Sequence, residues 1–301
     1  MDIALRGFSA LLMIALPLAV GLYLTRRWQK GWGLVFVGAV TFISSQVGHL
    51  PFNGAVLNPV LARLGFGAEP GPPPVLALAT AALLLGLSAG IFEEGARFLV
   101  YRFWIRRART YREGVLFGLG HGGAEAIAVA VLAILQLAQA YALRGQDLST
   151  IVPADQLAVA QAQLDAYWAI PAPAALLSAV ERASALAVQI TLAVLVLQAF
   201  TRRRGWLWLL AAILWHAAID AAAVFTGVQW GTYQGSVAGA VASEIMVGVF
   251  ALVSLWFLVR LRPTESSAEV TPPSPPSPAR PLAPPPLRAE RIDDTRYTPS
   301  G

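Results

Sequence analysis

The chain has 301 residues, 56% of them hydrophobic and 13% charged, with a mean hydropathy of +0.61. That composition excludes an ordinary soluble domain and points to a chain that crosses a membrane several times. The lack of cysteine excludes a disulfide framework, a thiolate nucleophile and a cysteine-bearing zinc site, and the formal charge of +5 sits on arginines at the ends of apolar runs, a topology signal rather than a nucleic-acid surface.

Apolar runs long enough for the roughly 30 Å of a bilayer core fall near 6–25, 33–52, 75–104, 113–141, 172–200, 206–225 and 237–260. The first run is followed by Arg26, Arg27 and Lys30 rather than preceded by charge, so it reads as a retained helix and not as a cleaved signal. The third and fourth exceed the minimum span, which implies tilt or protrusion. Residues 53–74, rich in Gly and Pro, read as an external loop. Residues 145–170 carry Leu148, Ile151, Leu157, Leu164 and Trp168 among Gln and Asp, compatible with a short amphipathic helix on the outer surface.

Charge alternates between the connections. Arg26, Arg27 and Lys30 follow the first span, and Arg102, Arg106, Arg107, Arg109 and Arg112 separate the third from the fourth. Arg202, Arg203 and Arg204 join the fifth and sixth, and Arg260 and Arg262 follow the seventh. The opposite connections carry only Arg63 and Arg144. The expectation is an all-α, seven-span bundle in a bacterial inner membrane, N-terminus outside and C-terminus cytoplasmic. Its membrane domain covers 1–262. From 263 to 301, proline clusters and mixed charge predict a disordered cytoplasmic tail. No internal repeat and no phosphate-binding loop stands out.

Three polar clusters interrupt the apolar runs: Glu93-Glu94 with Arg97, then Phe117, His121 and Glu125, then His216 and Asp220. Ionisable groups at that depth are costly and mark function. Glu93 and Glu94 stand four and three residues before Arg97, so both can reach one guanidinium. Phe117, His121 and Glu125 share a face, as do His216 and Asp220. At about 1.5 Å per helical residue, Glu93, His121 and His216 lie roughly 20, 14 and 15 Å from the basic ends of their helices. Three helices thus bring their polar groups to one level.

A buried carboxylate beside an arginine can serve as a general base for water, and a neighbouring histidine can share the proton. A second histidine with an acid can polarise a carbonyl and hold the developing oxyanion. That set suffices to hydrolyse an amide bond. No serine lies within the clusters. A structural ion-pair knot is the alternative for Glu93, Glu94 and Arg97, and structural hydrogen bonding for His121 and His216. Glu125 reads equally as a supporting or a catalytic acid, Glu181 and Arg182 as structural or entrance residues, and Glu244 as structural. His49, at the outer end of the second run, reads as an interfacial histidine. Glu93, His121 and His216 are also the residue types of a hydrolytic zinc site, so a divalent metal is a further option, although His-Glu-x-x-His is absent.

At these motifs, over residues 30–260, the chain resembles the glutamate-type intramembrane protease superfamily, which includes the type II CAAX prenyl endopeptidases. Glu93-Glu94 with Arg97, Phe117 to His121, and His216 to Asp220 match its three motifs in order. The Gly-His-Gly-Gly-Ala-Glu string at 120–125 is similar to the bacterial YhfC branch, whose members are described as intramembrane metalloproteases. The resemblance implies that Glu93 activates water with His121, that Glu94 and Arg97 hold the architecture, and that His216 and Asp220 stabilise the oxyanion. It implies no obligatory metal and a membrane-protein or lipidated-peptide substrate. Two departures stand out: the arginine follows the pair after two residues rather than three, and Asp220 replaces the commoner asparagine. The same superfamily holds a non-proteolytic scaffold, so the alternatives are a scaffold or a proton-coupled transporter using the same cluster.

Overall fold

The computed structural model describes residues 2–66, 73–232 and 237–263. The chain up to Arg262 forms one compact unit. The proline-rich tail expected at 263–301 lies, after Pro263, outside the described residues.

Every regular element among the described residues is helical. In chain order they are α1 (Asp2–Trp28), α2 (Gly33–Phe52), α3 (Asn58–Arg63), α4 (Val75–Phe103), α5 (Tyr111–Leu143), α6 (Leu157–Ala169), α7 (Leu177–Thr201), α8 (Gly205–Thr226) and α9 (Val237–Arg260). Among the described residues, seven stretches are long and apolar enough to cross a membrane: Asp2–Trp28, Gly33–Arg63, Val75–Phe103, Tyr111–Leu143, Ala172–Thr201, Gly205–Gln229 and Val237–Arg260. The all-helical, seven-span expectation is borne out.

One boundary moves. The loop expected over 53–74 begins later, because the second span continues through a π-helical turn, Asn53–Leu57, into α3 and ends at Arg63. The Gly and Pro content of 53–74 reads as a loop in sequence. The wider π turn instead absorbs the chain's irregularity and keeps it helical. The short helix expected within 145–170 is α6, which buries none of its residues.

Local chemistry fixes the element ends. At the start of α5 the Thr110 hydroxyl accepts from the Glu113 amide at 3.4 Å, and the Glu113 carboxylate accepts from the Thr110 amide at 3.0 Å, a reciprocal cap. α7 is the central helix: 67% of its most apolar stretch is buried, against no more than 39% in any other span. It packs on α5, α8 and α9, and α4 packs on α8 and α2 on α5.

Three of these crossings are close enough to forbid a side chain, that of α5 on α7 at Gly118 among them. A Cβ on Gly120 of α5 would collide with the Val35 carbonyl of α2, and one on Gly90 of α4 would meet the Ile213 carbonyl of α8. Gly120 precedes His121, and Gly90 lies three residues before Glu93. A close backbone approach therefore lies beside the polar groups on both of these helix pairs.

The basic ends gather at one end of the bundle. The Arg112 guanidinium lies 5.8 Å from the Trp28 ring, Arg109 lies 4.7 Å from the Phe200 ring, and the Tyr111 hydroxyl donates to the Leu258 carbonyl at 3.2 Å. At the other end Arg6 donates to the carbonyls of Tyr167 (3.1 Å) and Ile170 (2.6 Å), and Ser9 donates to that of Ala175 (2.7 Å).

Candidate active site

Glu93, Glu94 and Arg97 project from the middle of α4, His121 from α5 and His216 from α8, and all five are buried. Glu94, Arg97 and His121 have no exposed surface. Equal depth in sequence thus becomes contact in space. Glu93 Oε2 lies 3.0 Å from His121 Nε2, 3.7 Å from an Arg97 Nη and 4.0 Å from His216 Nε2. Arg97 forms a short ion pair with Glu94, whose Oε1 also holds His216 Nδ1 at 2.7 Å. The Phe42 ring meets His121 edge-on at 5.3 Å. Charged groups so far from water persist only when paired and hydrogen-bonded, and here each carboxylate has both a guanidinium and an imidazole nearby.

Two residues not singled out in sequence complete the cluster. Gln189 of α7 accepts from Arg97 through Oε1, and its Nε2 donates to Glu125 at 2.6 Å and to Glu93 Oε2 at 3.4 Å. Gln46 of α2 donates to Glu93 Oε1 at 3.1 Å. Neutral amides leave no mark on a charge or hydropathy scan. Spacing was the available signal: Gln189 stands seven residues after Arg182, which puts both on one helical face.

Glu125 does not touch the two histidines. It faces α7, where Arg182 donates to it at 2.7 Å while also making a short pair with Glu181. Glu181 and Arg182 are therefore tied to the site through Glu125 and Gln189. Glu244 of α9 has a buried Oε2 with no hydrogen-bond partner. Asp220 stands apart as well: its Oδ2 is 3.6 Å from His216 Nε2, and its side chain keeps 39% of its exposure. It marks the open edge of an otherwise closed cluster. His49, expected at the membrane boundary, is buried, stacked on Phe92 at 5.4 Å between ring centres. The reason is the longer second span, which carries the helix past it to Arg63.

Three buried atoms of the cluster have no partner, Glu94 Oε2, Arg97 Nε and His121 Nδ1. A hydrolytic zinc site needs three protein ligands around one point with a fourth position open. Glu93, His121 and His216 are suitable types, but both imidazoles turn their Nε2 atoms onto the Glu93 carboxylate. Among the described residues no three His, Asp or Glu groups are placed to hold an ion together. The arrangement does not fit a metal, and no chemical step below is routed through one.

Comparison with known proteins agrees with this architecture. The family model described as "YhfC intramembrane metalloprotease" matches residues 12–247. The "uncharacterized membrane protein YhfC" of Bacillus subtilis (strain 168) is 34% identical over 267 residues, covering 86% of this chain and 95% of that protein. No solved structure matches the chain significantly. A seven-span helical bundle with its ionisable residues gathered at mid-helix, matched over most of its length, belongs to the YhfC intramembrane metalloprotease family.

Proposed function

We propose that the protein is an intramembrane endopeptidase of the glutamate type, cleaving membrane proteins or lipidated peptides with water activated by Glu93 and His121. One observation carries the reading: the His121 and His216 Nε2 atoms, from α5 and α8, converge on a single carboxylate oxygen, Glu93 Oε2, at 3.0 and 4.0 Å. A general base must lie within hydrogen-bond reach of the proton it removes, and an oxyanion donor within reach of the developing charge. Water beside Glu93 and a substrate carbonyl beside His216 meet both conditions.

The residues then divide the reaction. Glu93 takes a proton as the water oxygen bonds to the carbonyl carbon. The carbonyl electrons move to oxygen, where His216, carrying a proton on Nε2, holds the oxyanion. Collapse breaks the carbon–nitrogen bond, and the proton on Glu93 passes to the leaving amine. His121 fixes the Glu93 rotamer through Nε2–H. Glu94 orients His216 through Nδ1, and Arg97 offsets carboxylate charge. Glu125 supports Glu93 through Gln189. Substrate enters past Asp220, on α8. Asp220 adds negative charge near the protonated His216 and does not itself donate to the oxyanion.

The arginine-rich end faces the cytoplasm of a bacterial inner membrane, which leaves the N-terminus outside. A proton-coupled transporter would break its helices at the binding site. α4, α5 and α8 instead run unbroken through Glu93, His121 and His216, so nothing specific favours that reading.

Purified protein in liposomes, incubated with a library of single-span reporter segments, tests the proposal. Wild type is expected to release cleaved fragments, and Glu93→Gln and His121→Asn, folded and inserted, to release none. Equal cleavage by Glu93→Gln would remove Glu93 from the reaction.

A further inference from the structure

The chain has three histidines, and the third also leads to Glu93. Ser88 Oγ of α4 donates to Asn53 Oδ1 of the second span at 2.8 Å, and Asn53 Nδ2 lies 3.0 Å from His49 Nε2. His49 Nδ1 lies 3.4 Å from Gln46 Oε1, and Gln46 Nε2 donates to Glu93 Oε1 at 3.1 Å and to Ser45 Oγ at 3.3 Å. His49, Ser45 and Ser88 are all buried. Asn53, where the π turn starts, stands one helical turn after His49, which brings the two side chains together.

The direction of every bond follows from the carboxylate at one end. Ionised Glu93 only accepts, so Gln46 must present its NH2 there and its carbonyl to His49. That carbonyl needs the His49 proton on Nδ1, which leaves Nε2 bare. A bare Nε2 needs the Asn53 NH2, and the Asn53 carbonyl then takes the Ser88 hydroxyl. With His49 neutral, no other assignment satisfies all four links; a doubly protonated ring would turn the Asn53 amide round.

We propose that His49 is a positioning residue, the hub of a Ser88–Asn53–His49–Gln46 chain that reads the charge of Glu93 and locks its rotamer. With Oε1 held by Gln46, Oε2 is the oxygen left facing His121 and His216. The link to hydrolysis rests on the protease reading; the chain itself does not. His49 sits too far along the chain to touch substrate. Its contribution is to turnover, not to substrate affinity.

Because only three histidines are present, protein labelled with 15N-histidine and held in lipid nanodiscs gives an assignable set of six ring nitrogens. His49 is identified by its loss in His49→Gln. The expected spectrum shows His49 neutral with its proton on Nδ1, and Glu93→Leu, which removes the acceptor, shifts both His49 nitrogens. An Nε2–H ring, a doubly protonated ring at neutral pH, or a His49 signal indifferent to Glu93→Leu would overturn the chain.

A kinetic arm uses a reporter segment that wild type cleaves. His49→Leu is expected to lower kcat about fivefold with KM unchanged, the cost of losing the neutral hydrogen bond that orders Gln46 against Glu93. His49→Gln, able to accept and donate at once, should recover most of that loss. A rise in KM alone, or equal loss in both variants, would remove the positioning role. The protease reading fails separately, if wild type cleaves no reporter while the spectrum keeps its expected form.

Discussion

Glu94, not Asp220, holds His216. The imidazole Nδ1 lies 2.7 Å from Glu94 Oε1, whereas Asp220 Oδ2 stands 3.6 Å from Nε2, outside ordinary hydrogen-bond length. The helical spacing of His216 and Asp220 pairs them in sequence, yet the partner that fixes the ring comes from another helix. Replacing the two acids therefore has different consequences. Glu94→Gln removes one half of a fully buried ion pair and is expected to cost about 3 kcal/mol or more of stability. Asp220→Asn, at the half-exposed edge, is expected to leave stability within about 0.5 kcal/mol and cleavage within about tenfold. Thermal unfolding in detergent, with cleavage measured on the same preparations, compares them. Equal loss of stability in the two variants would contradict the assignment.

Gln189 ties the two polar halves of the interior together, accepting from Arg97 and donating to Glu125 and Glu93. Gln189→Leu has similar bulk but leaves buried groups on three residues short of a partner, at about 1–3 kcal/mol for each unsatisfied group. Gln189→Glu puts another carboxylate between Glu93 and Glu125 and should be worse than Leu. The order wild type, Leu, Glu in thermal stability checks this. A Glu variant as stable as wild type would mean that Gln189 does not face both acids.

The seven spans were legible because twenty or so apolar residues leave a helix few alternatives in a bilayer. Counting helical rise from the basic ends was enough to bring Glu93, His121 and His216 to one level, and the structure joins those three. What stayed hidden has a common physical cause. Gln46 and Gln189 are uncharged, so nothing in their depth seemed costly. The Gly- and Pro-rich composition of 53–74 hid the continuation of the second span, and with it the burial of His49. Glu125, one turn beyond His121, faces Arg182 because its helix face turns toward α7, a choice that only packing makes.

The proposed orientation puts the arginine-rich end of the bundle in the cytoplasm. Because the protein has no cysteine, single cysteines report it cleanly. Thr150→Cys, beside α6, is expected to react with a membrane-impermeant maleimide added to intact cells. Arg203→Cys, between α7 and α8, is expected to react only after the membrane is opened. The reverse pattern would invert the topology.

No step of the proposed reaction passes through a metal. Cleavage by purified protein is therefore expected to survive prolonged dialysis against a strong chelator. Loss of activity that zinc restores would assign the two histidines and Glu93 to a metal, and would put the general-base role elsewhere.

The most direct measurement compares new protein N-termini across the membrane proteome of a deletion strain complemented with wild type or Glu93→Gln at matched levels. The proposed function predicts termini inside or beside membrane segments that appear with wild type and vanish with Glu93→Gln. Identical termini in the two strains, with both proteins folded and inserted, would contradict it and leave a scaffold or transporter role for the same buried cluster.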